Sequence, residues 1–199
     1  MPHATRLDLH SPLRRRRVLK LLALAALGLV LVTSILDHVG AFGYRGETLD
    51  RQQVEVLAAV DAETVRVKTS AGQEDVHLLG INAPASADHW GSEALRYTTA
   101  RLVGRTVTLR VEPTQMRDER GRVLACVYVT DADLMNLDMI RDGQAYADRR
   151  VQHPQAKQFE QVEGEARNKK RGMWKDLTED QMPAWRQKWL REWRAQHPR

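Results

Sequence analysis

Side chains that could carry chemistry are few in this sequence, and most do not form an obvious site. Seven histidines are scattered along 199 residues without the spacing of zinc ligands. Cys126 is the single cysteine, so no internal disulfide is possible, and its apolar run RVLACVYV predicts a buried structural thiol. Asp61 and Glu63 flank a turn, where carboxylates usually cap backbone N–H groups. A weak cation site at these two carboxylates is the alternative interpretation.

Short strands are the elements that must position these residues. Strand-like runs cover 54–60, 64–69, 75–81, 105–112 and 122–129. Ser70 to Gln73 form a plausible hairpin turn between the second and third runs. Val107, Leu109 and Val111 alternate with polar residues, which is typical of a half-buried strand.

Helical patterns lie between and after the strands. The first has Ser92 as its expected N-cap and Gly104 as its stop, the second ends at Gly143, and the third opens at Pro154. One helix between the third and fourth strands and two after the fifth predict a mainly β fold with helices (α+β). The expected architecture is a five-stranded, closed barrel of the OB type with three helices.

The net charge of +5 is unevenly distributed along the chain. Residues 1–20 carry +5, residues 21–166 carry −6 and residues 167–199 carry +6. A net-acidic body is a poor general attractor of polyphosphate, which weighs against a nucleic-acid-processing role for the central part.

The N-terminal region predicts a membrane anchor. Residues 1–17 form a basic arm ending in four arginines. Residues 18–36 are almost uniformly apolar, with Lys20 as their only charge, and are long enough to span about 28 Å of bilayer. The excess of positive charge before this span places the N-terminus in the cytoplasm and the domain outside. Cleavage of a signal peptide near Val39 to Ala41, giving a secreted protein, is the alternative. Residues 37–52 predict a linker.

Residues 176–199 predict a basic C-terminal helix. Trp185, Trp189 and Trp193 recur every four residues and so share one stripe, surrounded by Arg and Lys. Such a stripe can pack on its own domain, lie at a headgroup interface, or stack on nucleic-acid bases.

Six fragments resemble the staphylococcal nuclease-like (thermonuclease) family in order and spacing. They are DAETVRV, VHLLGINAPAS, GSEA, DERGRVLACVYV, LMNLDMIRDGQA and FEQVEGEARNKKRGMW. The resemblance covers about Val54 to Trp174, so we expect a staphylococcal nuclease-like OB-fold domain over residues 53–175. The resemblance implies calcium-dependent hydrolysis of phosphodiester bonds in DNA and RNA.

The positions that the family uses for metal are altered in this sequence. The resemblance assigns metal ligation to Glu63, where the family has Asp, to Asn82, which replaces another Asp, and to the carbonyl of Ala83. Asp61 keeps the first acid of the same turn, but Ala62 replaces its glycine. Because Asn82 is neutral and calcium prefers carboxylate oxygens, we expect the calcium site to be weak or lost.

The positions that the resemblance assigns to catalysis are altered as well. His77 replaces an arginine, Ala85 replaces the general-base glutamate, and only Arg122 matches the family fully. Loss of a general base typically costs about 10²–10⁴-fold in rate. Loss of one preorganised charge donor typically costs about 10²–10³-fold. We therefore expect the family mechanism to be disabled, so that enzymatic activity is an open question for this chain.

The sequence supports three functional hypotheses. The first is a membrane-anchored nuclease-like domain that is catalytically impaired and acts by binding protein or nucleic acid. The second is an active metal-dependent endonuclease with a rewired site, using Arg122 and His77 around phosphate and Asp61 and Glu63 for a cation. The third is an envelope scaffold subunit. The expected partners are the membrane through residues 18–36 and a nucleic acid or envelope protein, with no small-molecule cofactor.

Overall fold

The computed structural model describes residues 49–114 and 116–198, together with 20, 22–23, 25–28 and 30. The chain divides into one unit of Met1–Arg45 and a second of Gly46–Arg199. The described residues of the first unit are helical. In the part of the chain that the structure describes, no helix has the length and apolar character needed to cross a membrane. Apart from the positions named above, the predicted arm, membrane span and linker up to residue 48 lie outside the described residues.

The second unit is built on a closed barrel. Its strands are β1 (Gln53–Ala59), β2 (Thr64–Thr69), β3 (Gly72–Leu78), β4 (Ile81–Asn82), β5 (Thr106–Val111), β6 (Val123–Thr130), β7 (Asp133–Leu134) and β8 (Tyr146–Ala147). Strand β1 pairs with β2 and β5, β2 pairs with β3, and β5 pairs with β6. A parallel pairing of β3 with β6 closes the ring. The predicted five-stranded barrel of the OB type is therefore confirmed.

Alternating side chains explain how the barrel fills its interior. In β1, Val54 and Val56 are buried, and in β5 the predicted alternation of Val107, Leu109 and Val111 is confirmed. The first five residues of β6 are all buried, because this strand is enclosed by β3, β5 and a helix. Near Leu57 the β1–β2 register shifts, as expected for a bulge that bends a barrel strand.

Helices pack around the barrel and follow it along the chain. They are α1 (Gly91–Leu102), α2 (Met135–Arg141), α3 (Ala156–Asn168) and α4 (Ala184–Gln196), with short 3-10 turns at Gly172–Lys175 and Glu179–Gln181. The third predicted helix begins at Ala156 instead of Pro154. The hairpin between β2 and β3 is also tighter than predicted, because Thr69 pairs directly with Gly72 and leaves only two residues in the turn.

The start of α1 corrects the prediction that Ser92 is its N-cap. The cap is Trp90, in the left-handed region with φ 69°, and the helix begins at Gly91. A Cβ atom at Gly91 would lie 1.7 Å from the carbonyl oxygen of Ala85, so only glycine allows this approach. The sequence alone could not show it, because the constraint comes from a strand-to-helix loop folded back on the helix.

A buried amide joins the barrel to α2. Asn136 is fully buried, and its Oδ1 accepts the backbone N–H of Val127, while its Nδ2 donates to the carbonyls of Leu79 and Ala125. These bonds hold the end of β3 against β6, next to the chain that continues into β4. They fix the backbone at the end of β3 and into β4, which carries His77 and Asn82.

The last residues of the predicted linker belong to the barrel. Leu49 is buried in the core, Asp50 Oδ1 accepts the backbone N–H of Val111, and Arg51 donates its N–H to the Leu109 carbonyl. The folded unit therefore starts before Gln53 as far as the described residues show.

The C-terminal helix packs on its own domain through its first half. Arg186, one of the basic residues expected to surround the tryptophan stripe, is instead only 1% exposed, and Leu190 is also buried. Trp193 in the last turns is 46% exposed. The stripe thus passes from contact with the domain to solvent along α4.

Candidate active site

One cleft brings the sequence-predicted residues together. Asp61 and Glu63 come from the β1–β2 turn, His77 from the end of β3, Asn82 from β4 and Arg122 from the β5–β6 loop. The cleft has a volume of about 470 Å³. The convergence follows from the barrel, because the ends of these strands and loops meet at one rim.

Ala85, the position of the family's general base, lies outside this cleft's lining. Its side chain is exposed, and its backbone N–H binds the carboxylate of Asp88 in a local turn. A methyl group accepts no proton, so this position contributes no acid–base chemistry. Asp88 is likewise not among the residues that line the cleft.

The turn between β1 and β2 is held by its own carboxylate. Asp61 Oδ1 accepts the backbone N–H of Glu63 at 2.9 Å, which is the capping expected for an acid in a turn. Ala62 is buried and is not among the described residues with positive φ. Its carbonyl accepts the hydroxyl of Thr98 at 2.6 Å, so the turn is stable here without the glycine of the family.

The Glu63 carboxylate is surrounded by N–H donors. Its Oε2 accepts the backbone N–H of Ala83 at 2.6 Å and faces the amide Nδ2 of Asn82 at 3.5 Å. Burial raises the pKa of Glu63 to about 7, and the negative charge of Asp61 adds to this, while the Ala83 hydrogen bond and the more distant Arg122 oppose it. This carboxyl is therefore half-protonated near neutral pH.

Arg122 is fixed within the cleft by an acid that the sequence analysis did not single out. Its Nε and Nη2 each lie 2.7 Å from Asp118 Oδ2, and its backbone N–H binds the other oxygen of the same carboxylate. Its Nη1 donates to the hydroxyl of Thr64 at 2.8 Å. The spacing of four residues between Asp118 and Arg122 in the DERGR loop was the available sequence signal for this pair.

His77 sits at the end of the same network. Its Nδ1 lies 3.1 Å from Thr64 Oγ1, the hydroxyl that accepts from Arg122. That hydroxyl can donate its own hydrogen to Nδ1 of a neutral imidazole, leaving Nε2 as a donor. Burial lowers the pKa of His77, and the positive charge of Arg122 lowers it further. A neutral His77 does not supply the positive charge of the arginine it replaces.

The structure adds a contact that no local pattern indicates. The indole Nε1 of Trp185, in the first turn of α4, donates to Asn82 Oδ1 at 3.0 Å. The guanidinium of Arg150 lies 4.7 Å from the centre of the Trp185 ring and forms two hydrogen bonds with the carboxylate of Asp148. Arg150 and Asp148 both line the cleft.

The donor set fits a calcium ion poorly. Calcium takes six to eight oxygen ligands, and one oxygen of each of Asn82, Glu63 and Asp61 already accepts an N–H donor. Within the described ranges, no three His, Cys, Asp or Glu side chains cluster as a metal site.

Comparison with known proteins identifies the domain. A model of the family described as Staphylococcal nuclease homologue matches residues 75–176, about half of the chain. The chain belongs to this family. It is 30% identical to an Escherichia coli protein named "Uncharacterized endonuclease" over 130 residues, which cover 65% of this chain and 80% of that protein. It is also 30% identical to "Micrococcal nuclease" of Shigella flexneri over 141 residues, 66% of this chain and 79% of that protein.

Most residues that line the cleft fall within the matched region. His77, Asn82 and Arg122 fall within residues 75–176, while Asp61 and Glu63 lie just before that region on the β1–β2 turn. The resemblance stated from the sequence fragments is therefore confirmed at the level of the family and of the barrel.

Proposed function

We propose that this staphylococcal nuclease homologue domain is catalytically impaired and acts by binding. The observation that carries the proposal is the environment of two oxygen atoms in the cleft: Glu63 Oε2 and Asn82 Oδ1 each accept an N–H donor. Ala85 removes the general base in addition, since an alanine side chain cannot accept the proton of an attacking water.

The charges around the cleft favour a protein as the bound partner over a nucleic acid. Three of the arginines that line it are paired with carboxylates: Arg117 with Glu74 at 3.1 Å, Arg122 with Asp118 and Arg150 with Asp148. Guanidinium groups that are already paired with carboxylates attract a polyphosphate weakly. A surface of mixed charge suits a protein partner that presents both signs.

A digestion assay tests the impairment. Full-length protein in detergent would be incubated with plasmid and single-stranded DNA in calcium, and then in magnesium or manganese. We expect cleavage no faster than that of an Arg122→Ala variant prepared in parallel, which controls for contaminating nuclease. Metal-dependent cleavage that disappears in Arg122→Ala would overturn the proposal.

An oligonucleotide titration tests the choice of partner. We expect weak binding of a fluorescent single-stranded oligonucleotide at physiological salt. Tight binding that weakens steeply as salt rises would indicate phosphate contacts and replace the protein partner by a nucleic acid.

An active nuclease with a rewired site is the second candidate, because of Glu63. A carboxyl with a pKa of about 7 in the same cleft as Arg122 has the proton affinity of a general base at neutral pH. The names of the two relatives, an endonuclease and a nuclease, also favour this candidate. It requires that Glu63→Gln abolish cleavage and that the pH–rate profile rise with a pKa near 7.

We propose further that residues 18–36 anchor the protein in a membrane, with the N-terminus in the cytoplasm and the domain on the other side. The apolar run after Arg14–Arg17 supports this. The described residues Leu22, Leu27 and Val30 are each more than 60% exposed. Such exposed apolar side chains could face lipid. Protease added to spheroplasts should digest the domain, and carbonate washing should leave the intact chain in the membrane. A mature protein that begins near Ala41 would instead indicate secretion after signal cleavage.

A further inference from the structure

The C-terminal helix contacts Asn82, one of the cleft residues that the family resemblance assigns to metal binding. Replacement of the family's Asp by Asn does not by itself require this contact. Trp185 lies in the first turn of α4, and its indole N–H meets Asn82 Oδ1 at 3.0 Å. The two residues are 103 positions apart. This contact goes beyond the replacement of Asp by Asn, because it decides how the Asn82 amide is turned.

The indole N–H determines which end of the Asn82 amide faces Glu63. An indole nitrogen is a donor only, so the amide must present its oxygen to Trp185 and its NH₂ group to the opposite side. On that side the amide nitrogen lies 3.5 Å from Glu63 Oε2. Trp185 thereby turns a positively polarised edge toward the carboxylate, where a cation ligand would need to present oxygen.

Arg150 adds a guanidinium group near the Glu63 carboxylate. Its guanidinium is held over the Trp185 ring at 4.7 Å and in a bidentate pair with Asp148, whose side chain is buried. The Glu63 carboxylate lies near enough to act on the charge of Arg150. Trp185 thus supports a fixed cation beside the cleft in addition to orienting Asn82.

A buried ion pair fixes the register of α4 and so the place of Trp185. Arg186, the next residue, donates from Nη2 to Glu163 Oε2 at 2.6 Å, and both side chains are 1% exposed. Arg149 donates to the same oxygen and lies over the Trp189 ring at 4.1 Å. With these contacts made, the neighbouring Trp185 has little freedom to leave Asn82.

We propose that Trp185 is the positioning residue that excludes a divalent cation from this cleft, by orienting the Asn82 amide and by supporting Arg150 beside Glu63. The proposal is independent of whether the domain cleaves nucleic acid, because cation binding is measured without a substrate.

The test is calcium binding measured by calorimetry on full-length protein in detergent. Wild type should show no measurable binding, and Trp185→Phe and Asn82→Asp should each bind weakly. The double variant Asn82→Asp/Trp185→Phe should bind calcium at least about tenfold tighter than Asn82→Asp, since the added carboxylate is then free of the indole donor. Equal affinity of these two proteins would refute the proposal, as would tight calcium binding by wild type.

Trp193→Phe in the Asn82→Asp background is the matched control. Trp193 lies on the same helix and is exposed, so its replacement should leave the calcium affinity of Asn82→Asp unchanged. A gain as large as that from Trp185→Phe would mean that general loosening of α4, and not the indole contact, admits the cation.

A second measurement decides the case if the double variant does not fold. In Trp185→Phe alone, the side-chain amide signals of Asn82 in a nitrogen–proton correlation spectrum should shift, because the amide loses its oriented partner. They should stay in place in Trp193→Phe. Unshifted Asn82 signals in Trp185→Phe would count against the proposal.

Discussion

Glu63 and Glu163 have the same side chain but opposite surroundings. Glu163 is 1% exposed between α3 and α4, and guanidinium groups of Arg149 and Arg186 neutralise it directly. Glu63 lies half-buried at the cleft rim, where a backbone N–H and a neutral amide are its hydrogen-bond donors and Asp61 adds a like charge. The first arrangement holds two helices together, and the second leaves a carboxyl that keeps its proton to a higher pH than an ordinary glutamate, because its pKa is about 7.

The difference shows which of the two sites is built for stability. Neutralising a buried carboxylate needs charge and hydrogen bonds together, and the α3–α4 cluster supplies both. At the cleft, the hydrogen-bond donors to Glu63 are neutral. They satisfy the hydrogen-bonding geometry of its carboxylate without neutralising its charge. Substitutions at Glu163, at Glu63 and at two tryptophans of α4, with progressively smaller expected effects, would sharpen or break this contrast.

Replacement of Glu163 by Gln should have the largest effect. It leaves Arg186 buried without its carboxylate, and breaking a buried pair in this way costs about 3–5 kcal/mol of unfolding free energy. Urea unfolding of the full-length protein in detergent, followed by tryptophan fluorescence, measures the loss. The double variant Glu163→Met/Arg186→Met should recover a large part of it, since no charge remains buried. A loss under about 1 kcal/mol in Glu163→Gln would show that water reaches Arg186.

Replacement of Glu63 by Gln should change the pH dependence of stability. The pKa of Glu63 is raised from 4.5 to about 7, so between these values the folded protein keeps a proton that the unfolded chain releases. The unfolding free energy of wild type should therefore fall as pH rises through this window, by up to about 3 kcal/mol, with the stabilisation fully present below pH 4.5. Urea midpoints at pH 5 and pH 8 measure it. The Glu63→Gln protein should show a smaller fall, and an equal fall in both proteins would assign the effect to another group.

Replacement of two tryptophans of α4 should cost less stability, and the two losses should differ. Trp189 lies against Arg149 at 4.1 Å, whereas Trp193 is 46% exposed. Trp189→Leu should cost about 1–2 kcal/mol of stability through lost cation–π and packing contacts, and Trp193→Leu less than about 0.5 kcal/mol. Thermal unfolding of the two variants side by side measures the contrast. A larger loss at Trp193 would mean that the end of the helix is covered in the intact protein.

Much of the barrel could be predicted because its signals are local. The alternation of Val107, Leu109 and Val111 predicts which face of β5 is buried. Gly143, whose φ is 68°, marks the end of a helix. The prediction of Ser92 as the N-cap of α1 was wrong, and local sequence patterns could not have shown this. The chain ahead of α1 folds back so closely that Gly91 must start the helix, with Trp90 as its cap.

The sequence by itself determined that alanine stands at position 85 and a neutral amide at position 82, where the family resemblance implies a general base and a metal ligand, because the chemistry of a side chain is set by its identity. The strand order of the barrel then brings the candidate residues to one rim. Only the tertiary structure decided that Trp185 meets Asn82 across 103 residues. That contact depends on how α4 docks, and the docking is set by the buried pair of Arg186 and Glu163, whose geometry no spacing along the chain encodes.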